Sequence, residues 1–168
     1  MSTAAFITRF RELHEKAKSG ALAEKDRPEY ESSRRELGRL LLVAQQMSHG
    51  GQTLRSALRI AQLIKVEVDL GGSSPERTST MDLASGGFAA LLPAGQKVGR
   101  TVGFKLQIPA ISGSGSHPLT GTAKVVSSRQ QGALHRVSFA FEAMPPSDRE
   151  HLDMALIDFV LRRFTVPG

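Results

Sequence analysis

Apolar residues along this chain follow three successive patterns. Between Thr3 and Lys18, Phe6, Phe10, Leu13 and Ala17 recur every three or four residues, which places them on one face of a helix that Ser19-Gly20 ends. A second helix is expected from about Asp26, where Asp26 and Glu29 have capping-box spacing and Pro28 falls in the first turn. It should run to about Ser48, because His49-Gly50-Gly51 stops it. Its apolar line, Tyr30, Leu37, Leu40, Leu41, Ala44 and Met47, is narrow and roughly heptad-like, with Ser33 and Arg34 interrupting it. Neither stripe is wide enough to hold a helix in water unaided, so the hairpin must bury it against the rest of the chain or against another copy.

Beyond Gly51 the period shortens to two and stays so for most of the remaining sequence. Six short strands are expected: Ile60 to Leu70, Arg77 to Asp82, Phe88 to Leu92, Arg100 to Ile108, Gly121 to Ser127, and Leu134 to Phe141. Gly71 to Pro75, Pro93-Ala94-Gly95 and Ser128 to Gly132 supply turns, a regular spacing that indicates an antiparallel sandwich or barrel. Ile111 to Pro118, with Gly113 and Gly115, reads as a flexible hairpin loop. A closing helix is signalled by Pro145-Pro146, with Ser147 as N-cap and Glu150 three residues on, and should reach Phe164. Leu152, Ala155, Leu156, Phe159 and Val160 form one stripe, and Met154, Ile157, Leu161 and Phe164 cover another side, so burial on two faces is expected. The domain reading is a helical hairpin over 1–50 and a mainly β domain with its closing helix over 51–168.

Composition narrows the function. Hydrophobic residues are 40% and charged residues 23% of 168, the balance of a chain that folds. Aromatics are 5%, with no Trp and one Tyr, so a base-binding site cannot rest on stacked rings, and arginine must substitute. There is no cysteine, which excludes disulfides, thiolate metal sites and a cysteine nucleophile and suits a cytoplasmic location. No run of ~18 apolar residues is present, and Arg9, Arg11 and Glu12 break the N-terminal apolar pattern, against a signal peptide. The five histidines are scattered without metal-ligand spacing and read as surface residues, and neither a phosphate-binding P-loop nor a G-x-S-x-G elbow occurs. The expectation is a non-catalytic protein without metal or cofactor. Its formal charge of +6 favours anionic partners.

Two short motifs carry the candidate chemistry. Arg55 and Arg59 stand four apart just before the first strand, and Asp82-Leu83-Ala84-Ser85-Gly86-Gly87 precedes another about two dozen residues later. In order and in strand context they resemble the paired signatures of the PilZ domain family, R-x-x-x-R and [DN]-x-S-x-x-G, with Ala84 where the family has serine. The resemblance extends from about Gln52 to Phe164 and leaves the N-terminal hairpin outside. It implies a six-stranded antiparallel PilZ-type β-barrel with a C-terminal helix, a mainly β fold with helices. It also implies a surface site for cyclic di-GMP formed by Arg55, Arg59, Asp82, Ala84, Ser85, Gly86 and Gly87.

Those residue types suit such a ligand. Guanidinium groups fork onto phosphate oxygens, pair with guanine O6 and N7 or stack on the ring, and a carboxylate at Asp82 accepts from guanine N1 and N2. Gly86-Gly87 permits close backbone approach, or else only meets the geometry of a strand connection. Loss of the serine hydroxyl at Ala84 should weaken binding about tenfold, and Ser85 points to the other face if the strand continues. In the family an arginine before the first motif arginine goes with a stacked pair of nucleotides; Leu54 holds that place here, so one ligand per site is implied. The expected function is a cyclic di-GMP effector whose N-terminal segment, loose before binding, rearranges with the ligand and signals to a protein partner. The helices offer a route to homo-oligomers. The alternatives are a degenerate PilZ adaptor that binds no nucleotide, and a barrel binding single-stranded nucleic acid, against which the low aromatic content counts.

Overall fold

The computed structural model describes residues 2–48 and 59–163. The chain divides into two compact units, 1–58 with 160–168 and 59–159.

In the first unit, α1 (Thr3–Lys18) and α2 (Arg27–Ser48) are joined through a single 3-10 turn, Glu24–Asp26. Ser2 caps α1, its hydroxyl accepting from the Ala5 amide at 3.2 Å. Phe10 and Leu13 of α1 and Tyr30 and Leu37 of α2 are buried as their spacing predicts; Ile7, outside the expected stripe, is buried with them, while Leu40 and Ala44, expected on the stripe of α2, are exposed. Glu29 does not close the expected capping box. Its two carboxylate oxygens accept from Arg9 Nε at 2.9 Å and Nη2 at 2.8 Å, a bidentate charged contact between the helices that outcompetes a backbone amide. His14, read from sequence as a surface residue, is fully buried: Nδ1 lies 2.8 Å from the Tyr30 hydroxyl, and its ring stacks on Phe10.

The second unit is a closed antiparallel barrel. Its strands are β2 (Lys65–Asp69), β3 (Glu76–Ala84), β4 (Gly87–Leu92), β5 (Thr101–Pro109), β6 (Ser116–Gln131) and β7 (Leu134–Ala143), neighbouring in the order β3-β2-β5-β6-β7-β4, with β4 pairing back onto β3. Closure leaves these six strands no edge. Period-two patterning turns Val66, Val68, Leu83, Phe88, Leu106 and Phe139 inward, all at 2% exposure or less, with Phe88 stacked on Phe139 at 4.9 Å and Phe104 tilted against the half-buried Phe141 at 5.0 Å.

Three elements depart from the sequence reading. The expected first strand is broken in two: a two-residue β1 (Arg59–Ile60) pairs with the end of β3, and β2 with its beginning. Thr80, fully buried, occupies the joint. Its hydroxyl donates to Gln62 O at 2.6 Å and accepts from Ile64 N at 3.0 Å, meeting the polar groups the break would otherwise leave bare. β6 begins five residues earlier than expected, because Ser116, His117 and Pro118 pair with Pro109, Ile108 and Gln107, so only the glycine turn of the expected loop remains. The closing helix α3 (Pro146–Arg163) starts one residue before Ser147, since Pro146 has the backbone angle of a first helical residue and Pro145 O accepts from Asp148 N and Arg149 N. On α3, His151 is buried at 8% exposure, its Nε2 donating to Pro109 O at 3.0 Å and its ring stacked 4.3 Å from that of His117. The surface reading of His151 is therefore corrected.

Candidate functional site

The β3–β4 hairpin carries the second motif. Ala84 pairs with Gly87, and Ser85 and Gly86 form the two-residue turn between them. Neither Gly86 nor Gly87 has a positive φ. Gly87 is bare for another reason: a Cβ there would lie 1.9 Å from Phe139 O and 3.1 Å from Ala140 Cα, so its missing side chain lets β4 cross tightly over β7. Ser85 leaves the strand at the turn, so the alternation that would turn it to the opposite face does not apply.

Leu83 and Phe88 point into the core, so Asp82, Ala84, Gly87 and Ala89 share the other face of the hairpin, where Asp82 and Gly87 are half-buried while Ala84 and Ala89 are covered. β1 adds the second arginine of the first motif to the same face. Arg59 stands directly across from Ala84 while its neighbour Ile60, across from Leu83, is buried. Residues paired in this way project to one side, their Cα atoms ~4.5 to 5.5 Å apart. The motifs thus meet at an ordinary strand pairing, with Thr80 securing the joint that brings β1 there. Arg55 lies outside the described residues.

Two further arginines reach the hairpin, and the sequence reading did not include them. Arg136 on β7 donates from Nη2 to Asp82 Oδ2 at 2.5 Å, with the two side chains 26% and 15% exposed. A bulge between Thr80 and Asp82 lets Met81 approach the same guanidinium, Sδ lying 3.7 Å from Nη1. Arg149 in the first turns of α3 donates to Ser85 O at 3.1 Å. Alternation alone marks Arg136 as outward, since Val137 and Phe139 are buried. Nothing local tells that a residue 54 positions from Asp82 lies beside it; the β4–β7 pairing does. Arg136 pairs with the Asp82 carboxylate, Arg149 bonds the Ser85 carbonyl and Arg59 stands across from Ala84, so three arginines and one carboxylate gather at the hairpin, a composition suited to an anion that also carries hydrogen-bond donors.

A separate cleft of about 410 Å³ lies over β2, β5 and β6, lined by Glu67, Asp69, Lys105, Thr120 and the Gly72–Pro75 turn, and contains none of the motif residues. Among the described residues no group of His, Asp and Glu is arranged to hold a metal.

A search of curated proteins finds no match. Among solved structures, the chain is similar to the Bacillus subtilis inhibitor of motility, MotI/DgrA, with a TM-score of 0.60 and 14% identity over 67% of this chain and 54% of that one. It is also similar to K. pneumonia MrkH, solved as a complex with c-di-GMP, with a TM-score of 0.52 and 11% identity over 66% of this chain and 54% of that one. A third similar structure is Escherichia coli YcgR in complex with c-di-GMP, with a TM-score of 0.49 and 25% identity over 65% of this chain and 46% of that one. The chain thus spans about half the length of these three proteins. At such identities the first two likenesses establish the barrel fold. The model of the PilZ domain matches residues 53–158, well over half the sequence and all six barrel strands. The chain belongs to the PilZ domain family.

Proposed function

We propose that this protein is a non-catalytic cyclic di-GMP receptor that binds one ligand on the outer face of the β1–β3–β4 corner and passes the signal to a protein partner. The observation that carries the reading is the register Arg59 opposite Ala84, which gathers an arginine of the first motif and the acidic glycine hairpin of the second on one surface. Arg55, Arg59 and Arg149 supply cations for the two phosphates, and the Asp82 carboxylate supplies an acceptor for guanine N1–H and N2–H. Family membership supports the same ligand. A cytoplasmic location goes with this reading; among the described residues no helix is long and apolar enough to cross a membrane.

Calorimetric titration with cyclic di-GMP tests the proposal. Wild type should bind, Arg59→Ala or Arg55→Ala should abolish most of the heat, and Ala84→Ser should tighten binding about tenfold by restoring one hydrogen bond. Ala84 is only 6% exposed, the one observation that favours the adaptor alternative, because a nearly covered methyl offers a ligand nothing polar. Absence of heat with both wild type and Ala84→Ser would favour that alternative instead.

A further inference from the structure

On the receptor reading, Asp82 is the group that distinguishes guanine from other bases, yet its carboxylate is already engaged. Arg136 holds Oδ2 from one side, and no hydrogen bond among the described residues takes Oδ1. We propose that Arg136 is a positioning residue for base selectivity: by fixing one oxygen of Asp82 it aims the other at the N1–H and N2–H donors of a guanine ring.

Three features of the site support this role. First, Arg136 sits directly across from Arg129 in the β6–β7 pairing, and like charges so placed disfavour the sheet. Arg129 is exposed and has no ion-pair partner among the described residues, so what offsets the repulsion at position 136 is the pairing of Arg136 with Asp82. Second, the guanidinium is held at two points, with Nη2 on Asp82 and Nη1 against Met81 Sδ, and the β3 bulge brings both residues to it. A cation held at two points anchors the one carboxylate oxygen it bonds more firmly than a mobile lysine ammonium would. Third, Asp82 is 15% exposed, enough for one oxygen to meet a ligand but too little for an unpaired carboxylate to stay well hydrated.

The chemistry at the free oxygen is selective. An ionised carboxylate only accepts, so it pairs with the N1–H and N2–H₂ edge of guanine and repels the N1 lone pair of adenine at the same place. Holding the carboxylate still turns that difference into discrimination. Without Arg136 the side chain rotates toward water, and the contact that separates the bases is lost.

The experiment compares cyclic di-GMP with cyclic di-AMP by titration against wild type, Arg136→Met, Arg136→Lys and Asp82→Ala, with thermal melts of each. Arg136→Met should bind cyclic di-GMP about tenfold more weakly and cyclic di-AMP as before, so the affinity ratio falls about tenfold, and Arg136→Lys should recover part of the ratio. In the Asp82→Ala background Arg136→Met should change the ratio no further. A merely structural arginine would lower both affinities together. An unchanged ratio in Arg136→Met and Arg136→Lys, with wild type binding cyclic di-GMP, overturns this inference and leaves the receptor reading standing. Failure of wild type to bind either dinucleotide removes the receptor reading and this inference with it.

Discussion

Thr80 shows how a single side chain shapes a binding surface without touching a ligand. The chain between β1 and β2 turns away from β3, and the amide of Ile64 and the carbonyl of Gln62 would be left inside the protein without partners. The Thr80 hydroxyl serves both, and the pairing that sets Arg59 across from Ala84 follows from that joint. Thr80→Val keeps shape and volume but strips both bonds, so it should destabilise the barrel by about 2 kcal/mol in chemical denaturation. A loss below about 0.5 kcal/mol would mean that the joint is held by other means. Gly87 is the complementary case: the motif glycine is spent on the approach of β4 to Phe139, which makes it a requirement of the hairpin whatever the hairpin binds.

At the scale of elements, the helical hairpin is fastened by the Arg9–Glu29 clasp, with Arg9 and Glu29 side chains 39% and 45% exposed. The hydrogen bonds from Arg9 hold the Glu29 carboxyl below the usual carboxylate range. A group whose pKa is lowered on folding contributes stability above its unfolded value of ~4.3 and loses it as pH falls through the lowered folded value. Glu29→Gln should therefore lower the melting point of the helices at about pH 7, and the difference from wild type should shrink as pH falls below the ordinary carboxylate range, followed by circular dichroism. Equal melting points at about pH 7 would mean that solvent screens the clasp completely. The α3 helix is secured differently. His151 and Arg149 each bond a backbone carbonyl of the barrel unit, Pro109 O and Ser85 O, so the start of that helix is tied by specific polar contacts to the end of β5 and to the motif hairpin.

The whole molecule has two compact units, and a ligand at the β1–β3–β4 corner would contact the barrel unit. Binding to the folded barrel alone should stabilise it by about 2.7 kcal/mol at a ligand concentration of roughly a hundred times Kd. In scanning calorimetry with cyclic di-GMP, the barrel's transition should rise with nucleotide concentration, and the shift should shrink at high salt, since phosphate recognition by arginine is screened. A thermogram that nucleotide leaves unmoved, with binding already seen by titration, would mean that the unfolded chain binds it as well.

Much of this protein was legible in its residues alone. Periodicity located three long helices and the barrel strands, and the spacing of Arg55, Arg59, Asp82 and Gly87 pointed to one family, because side-chain alternation and short motifs are local properties of a chain. What joins distant positions was decided only by folding: the broken first strand with Thr80 at its joint, the burial of His14 and His151, and above all Arg136 beside Asp82. Those pairings depend on which strands become neighbours when the barrel closes. Strand order is fixed by long-range hydrogen bonding and by packing of the common core, and no single segment carries it.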